Sequence, residues 1–514
     1  MARRVAAIAF LLVVAGAAIG PIRSYDFFWH LATGRWILEH RALPLYDPFT
    51  IAAAHVPWIN GEWLYQVALY AVESAAGLNG ISWLNALFVG AIFTIAFWFA
   101  SRDSDWGAAL FLSATAFLGA SDRLGIRPAA AAALMVVCAL GILGSKLTTG
   151  RLAVAYAVLS VIWINTHPSA LLAPILAAAT LLIDVRRWIV IAGSALALFI
   201  NPFGWRAIAA PLELTQLVSS GEFVNAEWLP SSPALFPLLY ITATATVVAF
   251  LFVEKRANLW RMVVFAILVA LAIQHVRNQS LYFAGLPLFF PPVPRLPKNI
   301  TAALALLAFF PIAWVYAHGD RTIGVDSERF PVRAVARLQR SNLGGDIYNV
   351  DQFGGYLEWV FYPQRRVLTD GRNELFRAFI AEDARAHRDS RAWHALLQKY
   401  RIDLAVDEYQ SERTEVVDVA SGERRYLPAS LVRYRRRDWA LIAFDDAAMI
   451  FARRAAFPPA SIAGLEYRYL VPDDPQVGYL NEQIKNAARL EVERARREIG
   501  DINVVRELER GTRD

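Results

Sequence analysis

Cysteine is almost absent from this sequence, since Cys138 is the only one among 514 residues. A single cysteine cannot form a disulfide within the chain, and no Cys/His cluster has the spacing of a zinc site. A phosphate-binding loop is also missing, because Gly344-Gly345 and Gly354-Gly355 lack the spacing and the lysine of that motif. These absences argue against a disulfide scaffold, a zinc domain and a P-loop enzyme.

Apolar residues are in excess: they make up 56% of the chain, and the mean hydropathy is +0.36. The excess lies in the first three-fifths, where apolar runs approach the ~20 residues that a helix needs to cross a bilayer. From Arg321 onward the composition is ordinary and rich in charge. We therefore predict a polytopic α-helical membrane domain over 1–320, an α/β domain over 321–460 and a charged helical tail over 461–514.

The hydrophobic pattern predicts about eleven membrane-spanning helices. The first run favours a retained helix over a cleaved signal peptide, because it is long for a signal. The predicted spans are 5–22, 80–100, 107–121, 128–145, 152–166, 169–184, 188–203, 233–253, 259–274, 280–296 and 299–317.

The net charge of +6 comes largely from basic residues in short loops between apolar runs. These residues recur in alternate loops, which is typical of loops on the cytoplasmic side of a membrane. We therefore expect a cytoplasmic N-terminus, a multi-pass protein of the cytoplasmic (inner) membrane, an extracytoplasmic C-terminal domain and no nucleic-acid partner. The residues that carry this pattern are Arg3, Arg4, Arg102, Lys146, Arg151, Arg186, Arg187, Lys255, Arg256, Arg261, Arg295 and Lys298.

The first outside loop, about 23–79, is the longest in the membrane half and carries a different chemistry. Near its start lies Asp26, a residue that suits a helix N-cap. Two amphipathic helices are expected, at 26–39 and 62–76, and the tryptophans among them suit a helix at the membrane interface. Polar residues at outside helix ends are costly unless they are solvated or paired, so these loops are where we expect a site.

Three short segments support a family resemblance: Asp26-Phe-Phe-Trp-His-Leu-Ala-Thr-Gly34, Pro57-Trp-Ile-Asn-Gly-Glu-Trp63 and Gly354-Gly-Tyr-Leu-Glu-Trp359. With the span layout, they resemble a mostly uncharacterised bacterial branch of the GT-C superfamily of glycosyltransferases, which includes oligosaccharyltransferases and protein O-mannosyltransferases. The resemblance implies an inverting transferase that takes a sugar from a polyprenyl-phosphate donor at the lipid bilayer. The acceptor would be a glycan, a lipid or a protein.

The resemblance makes Asp26 a candidate general base or metal ligand, with Glu62 as a second carboxylate. The loop has no Asp-x-Asp or Glu-x-Asp pair, so a divalent metal (Mg²⁺ or Mn²⁺) stays an open alternative, with no cofactor certain. The remaining candidates are polar or aromatic residues of the outside loops, and we expect them to line one cavity with Asp26. The substrate-binding candidates are His30, Trp58, Asn60, Arg127, His275, Arg277 and Asn278.

Two other functions compete with a transferase. A flippase or other transporter of lipid-linked glycans should carry charges near the middle of its spans, often in two related halves. Neither feature is evident here. A non-catalytic envelope scaffold would not need Asp26.

After Arg321 the pattern alternates between short strands and helices. We predict a helix over 330–339, strands over 346–350, 366–369 and 404–406, and a hairpin of 439–444 with 448–453. Asp370-Gly-Arg372 follows a strand, where Asp-Gly is first a turn signal. The last segment, Asn481 to Leu508, is predicted to be a solvated or partner-bound helix.

The topology can be tested by cysteine labelling in a Cys138→Ser background. A cysteine at Ser145 should be labelled only from the cytoplasmic side, and a cysteine at Thr322 only from the outside. The reason is that an odd number of predicted spans lies between the two positions. Labelling of both positions from the same side would contradict the count of eleven.

Overall fold

The structure is a computed structural model that describes residues 2–219, 226–253, 255–409, 413–417, 422–475 and 482–513. The chain forms two compact units. The helical unit comprises Met1–Ser24, Thr33–Leu43 and Ile59–Gly324, and the sheet unit comprises Tyr25–Ala32, Pro44–Trp58 and Val325–Asp514. Two pieces of the predicted outside loop, Tyr25–Ala32 and Pro44–Trp58, therefore belong to the same unit as the C-terminal part of the chain. The predicted domains, divided at 320 and 460, did not include this association.

The helical unit is built from apolar helices around one core, in which small alanine side chains alternate with phenylalanine and leucine. Its helices are Ala2–Ala18, Trp63–Ala100, Trp106–Ala120, Pro128–Leu143, Thr149–Ile164, Leu172–Ala178, Trp188–Ala197, Arg206–Ser219, Pro237–Leu251, Lys255–Gln274, Gln279–Phe289, Lys298–Leu307 and Phe309–His318. The helix Asp26–His40 begins in the sheet unit and ends in this one.

Each predicted span falls on a helical segment, but the segments differ in length. Among the described residues, two helical stretches are long and apolar enough to cross a membrane. They are Trp63–Ala100 and Lys298–His318, the second of which joins the helices Lys298–Leu307 and Phe309–His318. Five other apolar helices are shorter. The long helix breaks at Gly77, whose φ of 67° is open to glycine at little cost. Eleven membrane crossings therefore stay a prediction. The helix Arg206–Ser219 was not predicted, because Pro211 lies inside it.

The sheet unit has a four-stranded sheet in the order β1-β2-β6-β5. β1 is parallel to β2, and the other neighbours are antiparallel. A separate pair, β3 and β4, is antiparallel. The strands are β1 (Asp346–Asn349), β2 (Ile402–Glu408), β3 (Arg413–Val417), β4 (Arg424–Pro428), β5 (Trp439–Phe444) and β6 (Ala448–Arg453).

The predicted hairpin appears as β5 and β6 with the expected bounds, whereas the strand predicted at 366–369 does not form. In its place Val367 makes isolated parallel bridges to Ile347 of β1 and to Thr50. Backbone bonds from Ile51 N to Val367 O (2.9 Å) and from Ala52 N to Leu368 O (3.2 Å) continue the contact. The segment 49–52 of the predicted outside loop therefore lies along 367–368, just before Asp370.

Helices cover this sheet and complete its core. They are Val332–Arg340, Asp351–Phe361, Arg377–Ala386, Ser390–Lys399, Ala429–Arg433, Pro459–Ala463, Glu482–Glu498 and Asn503–Arg513. The tail is helical as predicted, but its expected solvation is wrong, because Ala488, Val492, Val505 and Leu508 are buried in the core of the unit. Its predicted start at Asn481 lies outside the described residues.

Two adjacent glycines let the helix Asp351–Phe361 approach other backbone closely. A β-carbon on Gly354 would lie 2.0 Å from the carbonyl oxygen of Thr369, and one on Gly355 would lie 2.8 Å from the backbone nitrogen of Trp29. Since these neighbours are backbone atoms, they cannot rotate away. The Gly354-Gly355 motif is therefore a packing device that brings the helix against 369–370 and against the start of the helix Asp26–His40.

Gly354→Ala should lower the thermal unfolding temperature, with a cost of about 1–3 kcal/mol for overpacking. Alanine is otherwise favoured over glycine inside a helix by about 0.5–1 kcal/mol, so a loss of stability identifies the steric contact. Gly344→Ala is the matched control, because a β-carbon there meets no atom within 4 Å. Equal unfolding temperatures for the two variants would contradict this packing.

Candidate functional site

Asp26 is the first residue of the helix Asp26–His40 and is half-buried. One of its carboxylate oxygens accepts a hydrogen bond from Trp29 Nε1 at 3.4 Å. The same oxygen lies 3.2 Å from the place where a β-carbon on Gly371 would stand. The backbone of the turn Asp370-Gly371-Arg372 therefore lies directly against the Asp26 carboxylate.

Arg372 is the centre of this part of the sheet unit, and its side chain is only 1% exposed. Its Nε donates to both carboxylate oxygens of Asp370 at 3.0 Å, and its backbone nitrogen donates to Asp370 Oδ1 at 2.7 Å. Its Nη2 donates to Asp370 Oδ2 and, at 2.9 Å, to Asp47 Oδ1. The guanidinium of Arg372 thus joins Asp47 to Asp370, which lies 323 positions later in the sequence.

Three aromatic rings surround the same guanidinium. Its carbon lies 4.4 Å from the ring centre of Trp58, 5.4 Å from that of Trp29 and 5.9 Å from that of Phe49. A cation over an aromatic face is stabilised by the ring quadrupole, and more strongly where water is excluded. The rings therefore help to hold a charge that would otherwise be costly to bury.

Glu358 supplies a third buried carboxyl, with Oε1 3.7 Å from Arg372 Nη2. Burial and then the charge of Asp370 raise the pKa of Glu358 well above its usual value. Neither of its oxygens accepts a hydrogen bond, so the ionised form lacks hydrogen-bond stabilisation, and the charge of Arg372 does not outweigh the cost of burial. We therefore take Glu358 as neutral at pH 7. Burial alone would also raise the pKa of Asp370, but Arg372 holds that pKa below its usual value, so Asp370 is ionised.

The carboxylates differ in their access to solvent. Asp47, Glu358 and Asp370 are buried, whereas Asp26 is half-buried and Glu374 is exposed. Glu374 lies close enough to Asp26, Asp370 and Arg372 for their charges to interact. Substrate contact is open to Asp26, and the buried groups can act only by positioning the turn beside it.

The helical unit holds a second charged group, in which three arginines meet one carboxylate. Arg127 Nη1 donates to Glu227 at 2.5 Å, and Arg123 Nη1 lies 3.7 Å from the same oxygen. Arg277 stacks over Trp228 at 4.6 Å. Burial alone would raise the pKa of Glu227, but the charges of Arg127, Arg277 and Arg123 hold it below its usual value. The charge of Asp122 also acts on Arg123, so three positive charges face two negative ones, and the remaining positive charge suits a phosphate.

The other predicted residues around Arg277 make local contacts. His275 Nδ1 is 2.7 Å from the Trp228 carbonyl oxygen, and Asn278 Nδ2 donates to the Leu271 carbonyl at 3.2 Å. Both contacts fix the end of the helix Lys255–Gln274 and the short turn that follows it. Of this predicted group, Arg277 is the member whose charge joins the arginine cluster.

Three residues predicted to touch substrate are buried. His30 is 2% exposed and lies against the Trp29 ring, and Trp58 is 4% exposed beneath Arg372. Asn60 is 3% exposed and donates to Gln66 Oε1 at 2.6 Å. To reach a substrate these side chains would have to leave their contacts. Glu62 is half-buried and occupies the N-cap position of the helix Trp63–Ala100, without a side-chain capping bond.

The candidates divide between the two units: Asp26, His30 and Trp58 belong to the sheet unit, and the rest belong to the helical unit. Their convergence in one cavity stays a prediction. Asp47, Glu358, Asp370, Arg372 and Glu374 were not predicted as site residues. The available signal was the Asp370-Gly-Arg372 sequence, in which a charged residue on each side of a turn glycine is more than a turn requires.

No protein-family profile matches the chain, and no curated protein matches it. Solved structures do match. The chain is similar to the archaeal oligosaccharyltransferase AglB from Archaeoglobus fulgidus, in complex with an inhibitory peptide and a dolichol-phosphate, with 10% identity and a TM-score of 0.59 over 98% of this chain and 84% of that one. It is also similar to ArnT from Cupriavidus metallidurans bound to undecaprenyl phosphate, with 14% identity and a TM-score of 0.54 over 88% of this chain and 99% of that one.

The chain has a GT-C-like fold. The predicted resemblance is therefore confirmed for the fold. One fold hosts many functions, so the activity of this GT-C-like chain depends on the residues of its site.

Arg372→Ala should destabilise the GT-C-like chain by about 3–5 kcal/mol, because it leaves buried carboxylates without their cation. The folded-state pKa of Asp370 lies below its unfolded value, so the contribution of Asp370 is present above about pH 4 and is lost as pH falls. Without Arg372, Asp370 should take up a proton more readily. The deficit in unfolding temperature should therefore be smaller at pH 5 than at pH 8.

Arg366→Ala is the control, because this arginine is exposed on the same segment and its loss should change little. A deficit in Arg372→Ala that is the same at both pH values would contradict the assignment of ionised carboxylates around Arg372.

Proposed function

We propose that this protein is a membrane glycosyltransferase of the cytoplasmic membrane, which moves a sugar from a polyprenyl-phosphate donor to an acceptor at the outer face. Asp26 is its general base or a metal ligand, and the acceptor is a glycan, a lipid or a protein. The likeness to AglB and ArnT supports the fold, and their complexes with dolichol-phosphate and undecaprenyl phosphate suggest the donor class.

The observation that carries the proposal is the environment of Asp26. Its carboxylate is half-buried, so a substrate can reach it, and the turn beside it is fixed by a buried ion cluster. A general base must be held within hydrogen-bond reach of the proton that it takes. A rigid support of this kind provides that pre-organisation.

The arginine group of the helical unit fits the other chemical requirement. When a sugar leaves a polyprenyl-phosphate carrier, negative charge builds up on the departing phosphate. Arg127 and Arg277 are the members proposed to bind it, because guanidinium groups match phosphate geometry. Glu227 keeps part of that positive charge compensated while no phosphate is bound.

The proposed reaction is a single displacement. An acceptor oxygen or nitrogen attacks the anomeric carbon, its proton passes to Asp26, and the bond to the phosphate oxygen breaks. One displacement inverts the anomeric configuration, so we infer an inverting transferase. A transporter or an envelope scaffold with the same fold would have no need of a proton acceptor at Asp26.

Asp26→Asn should abolish glycosyl transfer with expression and folding nearly intact. Loss of a general base typically costs about 10²–10⁴-fold in rate. Asparagine keeps the size of the side chain and can still cap a helix, so a purely capping role predicts little change. The assay is transfer from a panel of labelled polyprenyl-phosphate sugars by the purified protein.

Asp389→Asn is the matched control for capping. Asp389 is exposed at the N-cap of the helix Ser390–Lys399 and accepts a hydrogen bond from Arg391 N at 2.8 Å. This variant should keep full activity. A fully active Asp26→Asn protein would refute the proposed role of Asp26 in transfer.

Arg277→Ala should raise KM for the donor and also lower kcat, because the phosphate is charged both before and during transfer. Steady-state kinetics with varied donor concentration separates the two effects. The exposed Arg151 provides the control, and Arg151→Ala should leave both constants unchanged. An Arg277→Ala enzyme with wild-type KM would remove this residue from the donor site.

A further inference from the structure

The fold likeness leaves open whether the acidic site beside Asp26 uses a divalent metal ion, so the donor set has to be tested for one. Among the described residues, no group of three or more His, Cys, Asp or Glu has the geometry to hold a metal. The richest acidic group is that around Arg372, and two of its carboxylates, Asp47 and Asp370, are already occupied by hydrogen-bond donors.

Asp47 shows this occupation most clearly. Its Oδ1 accepts from Phe49 N at 3.3 Å and from Arg372 Nη2 at 2.9 Å. Its Oδ2 accepts from the backbone nitrogen of Thr50 at 3.0 Å and from the Thr50 hydroxyl. A carboxylate offers about four lone-pair sites, so none of those on Asp47 is left for a metal ion.

Asp370 is occupied in the same way, and here Arg372 supplies the nitrogen donors. Its Oδ1 accepts from the backbone nitrogen and Nε of Arg372, and its Oδ2 accepts from Nε and Nη2 of the same side chain. The guanidinium stands where a cation shared by Asp47 and Asp370 would have to stand. A divalent ion placed beside it would meet a buried positive charge that cannot be neutralised, since arginine stays protonated.

Glu358 adds no metal ligand, because both of its oxygens are buried and lack any donor, a setting that favours the protonated carboxyl. A metal ion binds the ionised form. The residues therefore do not fit a divalent ion shared by Asp47, Glu358 and Asp370.

We propose that Arg372 is the resident cation of the acidic site beside Asp26, and that this site works without a divalent metal ion. Arg372 is then a positioning residue: it pins Asp370 and Asp47, and thereby the turn at Gly371 on which the Asp26 carboxylate rests. Because the described residues also place Asp26 in no group of three or more His, Cys, Asp or Glu that could hold a metal ion, we assign Asp26 the role of proton acceptor rather than metal ligand.

The first test measures metal binding directly and does not depend on activity. Purified full-length protein in lipid nanodiscs is treated with EDTA, desalted and titrated with Mn²⁺, and bound Mn²⁺ is followed by electron paramagnetic resonance. We expect the wild type to have no Mn²⁺ site that depends on Asp26, so the wild type and Asp26→Asn should bind Mn²⁺ equally. One Mn²⁺ per chain in the wild type, absent from Asp26→Asn, would overturn the proposal.

The second test asks which cation holds the site together. Arg372→Gln should have a lower unfolding temperature than the exposed control Arg366→Gln, and millimolar Mn²⁺ or Mg²⁺ should not restore it. Restoration to the wild-type temperature by either metal would contradict the proposal.

The activity arm rests on the proposed transferase function. Wild-type transfer should be unchanged within twofold by EDTA, and loss on EDTA with recovery on added Mn²⁺ would overturn the metal-free site. If no donor in the panel supports transfer, the proposed function fails on its own, and the Mn²⁺ titration still decides the nature of the cation.

Discussion

The ion cluster of Arg372 with Asp47 and Asp370 is the interaction on which the sheet unit depends. It is fully buried, so each charge is acceptable only because the others are present. The cluster also joins segments that are remote in sequence, since Asp47 comes from the segment 44–58 and Asp370 and Arg372 lie more than 300 residues later. Losing one partner would leave uncompensated charges in an apolar interior, so the cluster forms as a whole or not at all.

The position of Asp26 follows from that cluster through glycines. Gly354 and Gly355 let the helix Asp351–Phe361 lie against the backbone at 369–370 and at Trp29, and Gly371 lets the turn lie against the Asp26 carboxylate. A larger residue at Gly354 or Gly355 would push the elements apart, and one at Gly371 would displace the Asp26 carboxylate. A half-exposed carboxylate on a rigid, buried support is the arrangement that proton transfer needs, since the base must be both accessible and fixed.

Sequence patterns predicted the elements that depend on local interactions. The hairpin β5–β6 has its expected bounds because both strands and their turn lie within fifteen neighbouring residues, from Trp439 to Arg453. The role of Asp370-Gly-Arg372 depends on Asp47, which no local pattern relates to it. Trp58 looked like a surface residue of an interfacial loop, but its ring is needed beneath Arg372. The tail looked solvated because its apolar residues are few, yet they fall on one face and are buried.

We propose that a polyprenyl-phosphate donor binds this chain through Arg127 and Arg277 and that Asp26 takes the proton of the acceptor. The most direct test of this proposal is an experimental structure of the protein in nanodiscs with a bound polyprenyl phosphate. If these arginines bind the donor, the phosphate oxygens should lie within hydrogen-bond distance, about 3 Å, of the guanidinium groups of Arg127 or Arg277. A phosphate bound away from both arginines would contradict it.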